Sequence, residues 1–320
     1  MNAESDPSAS TTAPASRVAF LGPSGTFTEQ AVLALAAPDA DTRAVSTVQQ
    51  ALDAVAQRQV DVAIVPFENS VEGSVSVTLD ALIRGAPLVI TGEAHVAVQF
   101  ALLTRPGMGL TELRRVATHP HAQAQTREWM SSHAPQADVL PESSTARAAE
   151  LVAAGEYDAA IAAPLAGLRH GLIALDDDIA DRPGAITRFV RLSCPVPPPP
   201  PTGADTTTLI GFLRHNHPGA LLDLLQQFAG RGVDLTRLES RPTGEALGQY
   251  CFAIEANGHI SESRMAEALT GLHRSCATVR YLGSYPRADR QEHPIPVEAG
   301  EKAYEEAWSW VTSLTQETQS

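Results

Sequence analysis

Cysteine is scarce: the 320-residue chain has three, Cys194, Cys251 and Cys276, and no two of them form a CxxC pair. An odd, scattered set excludes a disulfide framework or a zinc ribbon and fits a reducing compartment. No apolar run approaches the ~20 residues that a membrane-crossing helix needs. The first 16 residues, rich in Ser, Ala and Thr, lack the basic start and apolar stretch of an export signal and read as a disordered tail. Basic charge is also short. The 23 Lys and Arg stand against 37 Asp and Glu, and the formal charge of −14 argues against nucleic acid or an anionic membrane as partner. A cytoplasmic protein is therefore expected. Nucleotide motifs are missing too, because "GPSGTFTEQA" is neither a P-loop nor GxGxxG.

With 43% hydrophobic residues the chain can bury a sizeable core, and its length suggests two domains. The clearest boundary is "SCPVPPPPPTG", Ser193 to Gly203, where consecutive prolines favour an extended spacer. The expected division is a tail over 1–16, a first domain over 17–193, a linker over 194–204, a second domain over 205–286, and a C-terminal tail or helix over 287–320. The first domain repeats a plan. An apolar strand at Arg17–Leu21 runs into a helix start, and Arg115–Thr118 does the same. Later "DVAIVP" and "DAAIAAP" read as strands stopping at Pro66 and Pro164. Two α/β lobes facing each other across a cleft follow, with ligands expected at strand ends and helix starts. The second domain reads strand–helix–strand–strand–helix–strand, the ferredoxin-like split unit.

Polar groups cluster where strands end. Thr26 follows Gly22 and Gly25 at a helix start, where free N–H groups attract anions; an ordinary capped turn is the plainer alternative. Glu68, Asn69, Ser70 and Glu72 follow a buried strand, either to meet a ligand or to cap the next helix. Thr118, His119, His121 and Gln125 surround the second strand–helix junction. The two histidines lack a third ligand at metal spacing, so no metal is expected. Ser143, Ser144 and Thr145 precede a helix, and capping and anion binding are compatible there. Thr187 and Arg188 interrupt the apolar stretch "AITRFV" and with it the expected strand alternation. An arginine is costly to bury alone, so Arg188 implies either an anionic ligand or a carboxylate partner such as Glu68.

Taken in order, "GPSGTFTEQA", "PFENSVEGSV", "THPHAQAQ", "ESSTARAA" and "TRF" resemble the blocks of prephenate dehydratases, and "PGALLDLL" with "LESRP" resembles their ACT regulatory domain. The resemblance implies a two-lobed, periplasmic-binding-protein-like catalytic domain of α/β class followed by the ferredoxin-like βαββαβ ACT domain. It implies conversion of prephenate to phenylpyruvate, water and carbon dioxide, without a cofactor. It places the catalytic threonine at Thr187 and cleft residues at Glu68, Asn69, Thr118, Gln125 and Thr145, with Arg188 adjoining. Joined to the reading of the strand ends, this makes Thr187, Asn69, Gln125 and Glu68 the expected catalytic set and Arg188, Thr26, Ser70, Thr118 and Thr145 the expected substrate-binding set. Many members have Asn where Ala185 stands. Phenylalanine is the implied effector, held by His217, Pro218, Gly219, Ala220 and Leu221 with Glu239, Ser240, Arg241 and Pro242 at a subunit interface of a homodimer or homotetramer. The prolines Pro197–Pro201 are expected to pass ACT rotation to the catalytic lobes. Arogenate or another fate of prephenate on the same fold is the nearest rival. A non-catalytic amino-acid sensor is the rival from another class, and the polar set ending in Thr187 speaks against it.

Overall fold

The computed structural model describes residues 16–71, 73–244 and 249–317; the N-terminal residues 1–15 of the expected tail and Glu72 lie outside them. Apolar runs alternate with amphipathic stretches, which demands helices packed on the faces of mostly parallel sheets. The first unit comprises β1 (Arg17–Leu21), α1 (Phe27–Leu35), β2 (Asp41–Val45), α2 (Val48–Ala56) and β3 (Val62–Asn69). A short β4 (Gly73–Ser74), α3 (Ser76–Arg84) and β5 (Val89–Ala97) follow. Here β1 lies parallel between β2 and β3.

The chain then crosses to a second sheet with β6 (Ala101–Thr104), β7 (Arg115–Thr118), α4 (Pro120–Gln125), α5 (Arg127–His133) and β8 (Asp138–Pro141). The sheet is completed by α6 (Thr145–Ala153), β9 (Ala159–Ala162), α7 (Pro164–His170) and β10 (Ile173–Asp176). Again a central strand, β7, lies parallel between two others, β8 and β9. The echo in the sequence is thus a repeat of structure. Finally β11 (Ile186–Ser193) returns to the first sheet, antiparallel between β3 and β5. The two crossings are tied by the Val98 N–H donating to the Ala185 carbonyl at 2.7 Å. Two α/β lobes joined by paired crossing segments are the plan of periplasmic binding proteins. Ala185 itself packs into the second lobe's core beside Val98 and Phe100.

The two prolines behave differently. Pro164 opens α7, where its missing N–H costs nothing. Pro66 does not end its strand: β3 continues to Asn69, and the register with β11 shifts so that Phe67 is bulged out beside the proline.

Beyond Ser193, β12 (Asp205–Leu213), α8 (Ala220–Ala229), β13 (Leu235–Pro242), β14 (Tyr250–Asn257), α9 (Ser263–Ser275) and β15 (Cys276–Pro286) form the split βαββαβ unit. Its antiparallel strand order is β13-β14-β12-β15. The C-terminal segment forms a helix, α10 (Glu301–Glu317), anchored at its start by Glu301 accepting from Ser263. One face of the β12–β15 sheet buries Leu209, Phe252 and Ile254 beneath α8 and α9. The other face buries Ile210, Cys251, Ala253, Leu282 and Tyr285 in one continuous core with Phe67, Ile90, Val190 and Leu192 of the first lobe. The expected proline spacer is therefore not the main connection, because the second domain is bonded face to face with the first lobe.

Candidate active site

Period-two geometry sends consecutive residues of β11 to opposite faces. Phe189 packs in the core beneath α1, whereas Val190 and Leu192 face the second domain. Thr187 shares the side of Phe189 and Arg188 that of Val190. The pair preserves strand alternation, contrary to expectation, because Thr187 meets Asn69 on one side of β11 and Arg188 meets a carboxylate of the second domain on the other.

Thr187 is nearly buried and pairs in register with Asn69 at the end of β3. Its hydroxyl oxygen accepts from the Asn69 Nδ2 at 2.9 Å. The Asn69 Oδ1 accepts from the Val71 N–H at 2.8 Å, which fixes the amide's orientation. Ser70 braces the same junction. Its amide donates to the Ile186 carbonyl, and its hydroxyl oxygen accepts from the Ile186 N–H, each at 2.9 Å.

Helix starts of the two lobes also meet. The loop before α1 meets the second lobe, where a Cβ on Gly25 would stand 3.0 Å from the Ala166 Cα and 3.7 Å from the Ala146 Cβ. The starts of α1, α6 and α7 therefore lie close together, and each carries the partial positive charge of a helix N-terminus. Thr26 is the N-cap of α1, yet its buried hydroxyl has no hydrogen-bond partner among the described residues. Ser144 caps α6 by accepting from the Arg147 N–H, leaving Thr145 at the first helical position. The Gly25 N–H is already occupied by Glu29, and the other Glu29 oxygen forms a 2.7 Å ion pair with Arg169 across the lobes.

Gln125 ends α4, with its side-chain nitrogen 2.9 Å from the His121 Nε2, and its carbonyl accepts from Asp181 in the returning crossing. His119 caps α4 by accepting from the His121 N–H. The helical segment after β7 is broken at Thr126 into α4 and α5. Thr118 is fully buried and its hydroxyl donates to the Ile161 carbonyl at 2.7 Å, so it ties β7 to β9 rather than presenting a hydroxyl to the cleft.

Two residues expected in the cleft lie on the opposite face. The Arg188 side chain is 12% exposed and turns toward the second domain. It donates from Nε to Glu93 at 2.5 Å, from Nη1 to Glu255 at 2.7 Å, and from Nη2 to the Tyr285 hydroxyl at 2.9 Å. Glu68 stands 3.5 Å from the same guanidinium and is displaced from the cleft with it. The carboxylate-partner alternative for Arg188 is the one the geometry realises. Burial alone would lower the Arg188 pKa, but the Glu255 and Glu93 carboxylates hold it well above its ordinary value. Burial pushes the Tyr285 phenol far up, so it stays neutral. Glu93, Glu255 and Tyr285 were not singled out from the sequence. Their signal was present: Glu255 is a lone carboxylate inside "CFAIEA", and an acid at an inward strand position needs a buried cation.

The expected effector residues also divide. His217, Pro218, Gly219, Ala220 and Leu221 lead into α8, and His217 and Ala220 border a cavity of about 160 Å³. Ser240 borders a larger cavity, about 1020 Å³, with Phe212, Arg214 and Tyr250. Glu239 and Arg241 face the other way. Glu239 accepts from the Ser74 hydroxyl, and Arg241 pairs with Asp80 of α3 at 2.6 Å. Pro242 closes β13.

Comparison with known proteins matches residues 18–195 to the family model "Prephenate dehydratase" and residues 208–274 to "ACT domain". A curated prephenate dehydratase of Amycolatopsis methanolica is 45% identical over 300 residues, covering 93% of this chain and 98% of its own. The crystal structure of a prephenate dehydratase from Arthrobacter aurescens in complex with L-Phe is 46% identical, with a TM-score of 0.87, covering 94% of this chain and 99% of that one. A further solved structure, GqqA, described as a novel type of quorum quenching acylase, is 33% identical with a TM-score of 0.78, covering 86% and 100%.

Proposed function

The chain belongs to the prephenate dehydratase family, and from that premise we propose that Thr187, oriented by Asn69, assists departure of the hydroxyl from prephenate. The protein converts prephenate to phenylpyruvate, water and carbon dioxide. As the C1 carboxylate leaves as carbon dioxide, its electron pair enters the ring and expels the C4 oxygen, which takes up one proton to leave as water. Because Asn69 donates to the Thr187 oxygen, the Thr187 proton remains free to point at that departing oxygen. Threonine is too weak an acid to act as a simple acid at neutral pH, so it donates a hydrogen bond or relays a proton from solvent. Such a contact strengthens as charge builds on the oxygen, which is the condition for lowering a barrier.

The substrate's carboxylates are held by the neighbouring starts of α1, α6 and α7, with the Thr26 hydroxyl and Thr145 at their edge. Closure around them removes water and favours loss of carbon dioxide. Gln125 orients the ring from the second lobe. The Asn69–Thr187 hydrogen bond carries this reading. It also separates it from acylase chemistry, where a hydroxyl nucleophile needs a neighbouring base to take its proton; an amide N–H cannot.

Phenylalanine acts as effector through the ACT domain, and two or four copies assemble by that domain in the cytoplasm. The edge strand β13, with Leu238 exposed, offers the surface for pairing. The test is direct: purified protein is incubated with prephenate and phenylpyruvate is followed, then arogenate is substituted. Phenylpyruvate from prephenate, lost in Thr187→Val, is the expected result. Turnover of arogenate alone would move the assignment to the amino-substituted substrate.

A further inference from the structure

The ACT domain lies directly behind the proposed catalytic pair. Thr187 and Arg188 are adjacent on β11, so the guanidinium that turns away from the cleft is anchored one residue from the hydroxyl that faces it. Two of its three closest partners, Glu255 on β14 and Tyr285 on β15, belong to the ACT domain. The third, Glu93, comes from β5 and also accepts from the Ala288 N–H just beyond β15, at 2.8 Å. The Glu93 and Glu255 side chains are each 5% exposed, and Tyr285 is fully buried. Tyr285 is itself held by Thr208 at 2.7 Å. A guanidinium with all three nitrogens engaged in a planar fork has no freedom to slide along the strand. Asn69 is backed in the same way. It pairs with Gly73 of β4, whose neighbour Ser74 donates to Glu239 and accepts from Arg237, both on β13.

We propose that Arg188 is a positioning residue for the reaction: clamped by Glu255 and Tyr285 of the ACT domain, it sets the height and tilt of β11 so that Thr187 stands in hydrogen-bonding register with Asn69. The ACT domain thereby forms part of the catalytic scaffold, and a shift of its sheet reaches the hydroxyl through one side chain. This rests on the assignment of Thr187 made above.

The experiment uses the full-length protein with Tyr285→Phe, which deletes one oxygen, and Glu255→Gln, which keeps shape and removes charge. Each is made alone and with Thr187→Val, and folding is checked by thermal denaturation. Alone, each is expected to lower kcat about five- to thirtyfold while KM changes less than about twofold. In the Thr187→Val background the same substitution should change kcat less than about twofold, because residues acting through one group are not additive. Undiminished kcat in folded Tyr285→Phe, with Thr187→Val crippled, overturns the positioning role and leaves Thr187 standing. A full multiplicative loss in the double variants also overturns it, because Tyr285 would then act elsewhere. Normal turnover in Thr187→Val sinks the Thr187 assignment instead. Should Glu255→Gln fail to fold, Tyr285→Phe alone decides.

Discussion

The Asn69 side-chain amide meets the Thr187 hydroxyl at 2.9 Å, although 118 positions separate them in the chain. The contact is directional, since the Val71 N–H holds the Asn69 oxygen and leaves only the Nδ2 group to face Thr187. Threonine thus accepts at its oxygen and keeps its proton available.

That direction makes Asn69→Asp a sharp test. A carboxylate accepts where the amide donated, so Thr187 would spend its proton on residue 69 rather than on the substrate. Turnover should fall about 10²-fold with KM within a few-fold, matching the loss in Thr187→Val. Thr187→Ser, which keeps the hydroxyl, should stay within about tenfold of the parent protein. Steady-state kinetics on prephenate provide the check, and near-normal turnover in Asn69→Asp would show that the bond's direction is immaterial.

Arg188→Lys separates the two roles between which the sequence left Arg188 undecided. A substrate-binding arginine would raise KM on losing its fork. The geometry predicts otherwise: lysine cannot serve Glu93, Glu255 and Tyr285 at once. A buried carboxylate left unpaired costs several kcal/mol, and partial retention of charge should reduce that to about 1–3 kcal/mol. The melting temperature and kcat should therefore fall while KM stays within about twofold. A large rise in KM at unchanged stability would return Arg188 to the cleft.

The order of elements was legible in the sequence because it depends on local period and punctuation. The repeat of strand, helix and a strand with Asp-x-Ala-Ile before a proline marked both lobes, and the two instances fall on β3 and β9, although β3 runs on past Pro66. What the residues could not reveal was the side of the sheet to which "TRF" offers each side chain. Period two guarantees that Thr187 and Arg188 part company, but which face meets the cleft depends on where the ACT sheet packs, a contact nearly 100 residues away in sequence. Glu68 was misplaced for the same reason. Pro66 signalled a strand end but instead sits beside a bulge at Phe67, which turns Glu68 toward Arg188 while Asn69 turns to Thr187. The effector motif "LESRP" divides likewise, its odd-numbered members bonding lobe one while Ser240 faces a cavity.

Buried Glu29 of α1 forms an ion pair with Arg169 of α7 at 2.7 Å, across the two lobes. Arg169 is about half exposed, so the pair contributes at most about 1 kcal/mol and is screened by salt. Such an energy still shifts an open–closed balance up to about fivefold. Arg169→Gln should raise KM by up to about fivefold at low ionic strength and leave kcat nearly unchanged. Raising the salt should bring the parent protein's KM toward the variant's. Equal salt dependence in both proteins would remove the pair from the closing mechanism.

Gly219 provides the test of effector binding. It caps α8 with φ +91°, in the left-handed region, and nothing lies within 4 Å of where its Cβ would stand. A larger residue therefore fails through its backbone rather than by filling a pocket. A β-branched side chain at that φ costs about 1–3 kcal/mol, which the chain relieves by rotating the loop and re-aiming the amides at the helix start. Asparagine tolerates the left-handed region, so Gly219→Asn should keep the loop and Gly219→Val should not. Calorimetry with phenylalanine should show binding to the parent protein and to Gly219→Asn, and at least tenfold weaker binding to Gly219→Val. The change in prephenate turnover with added phenylalanine should follow the same order, because an effector shifts activity only by its differential affinity for two arrangements. If Gly219→Val binds phenylalanine as tightly as the parent, the start of α8 does not hold the ligand. The effector site would then belong with Ser240 at the larger cavity.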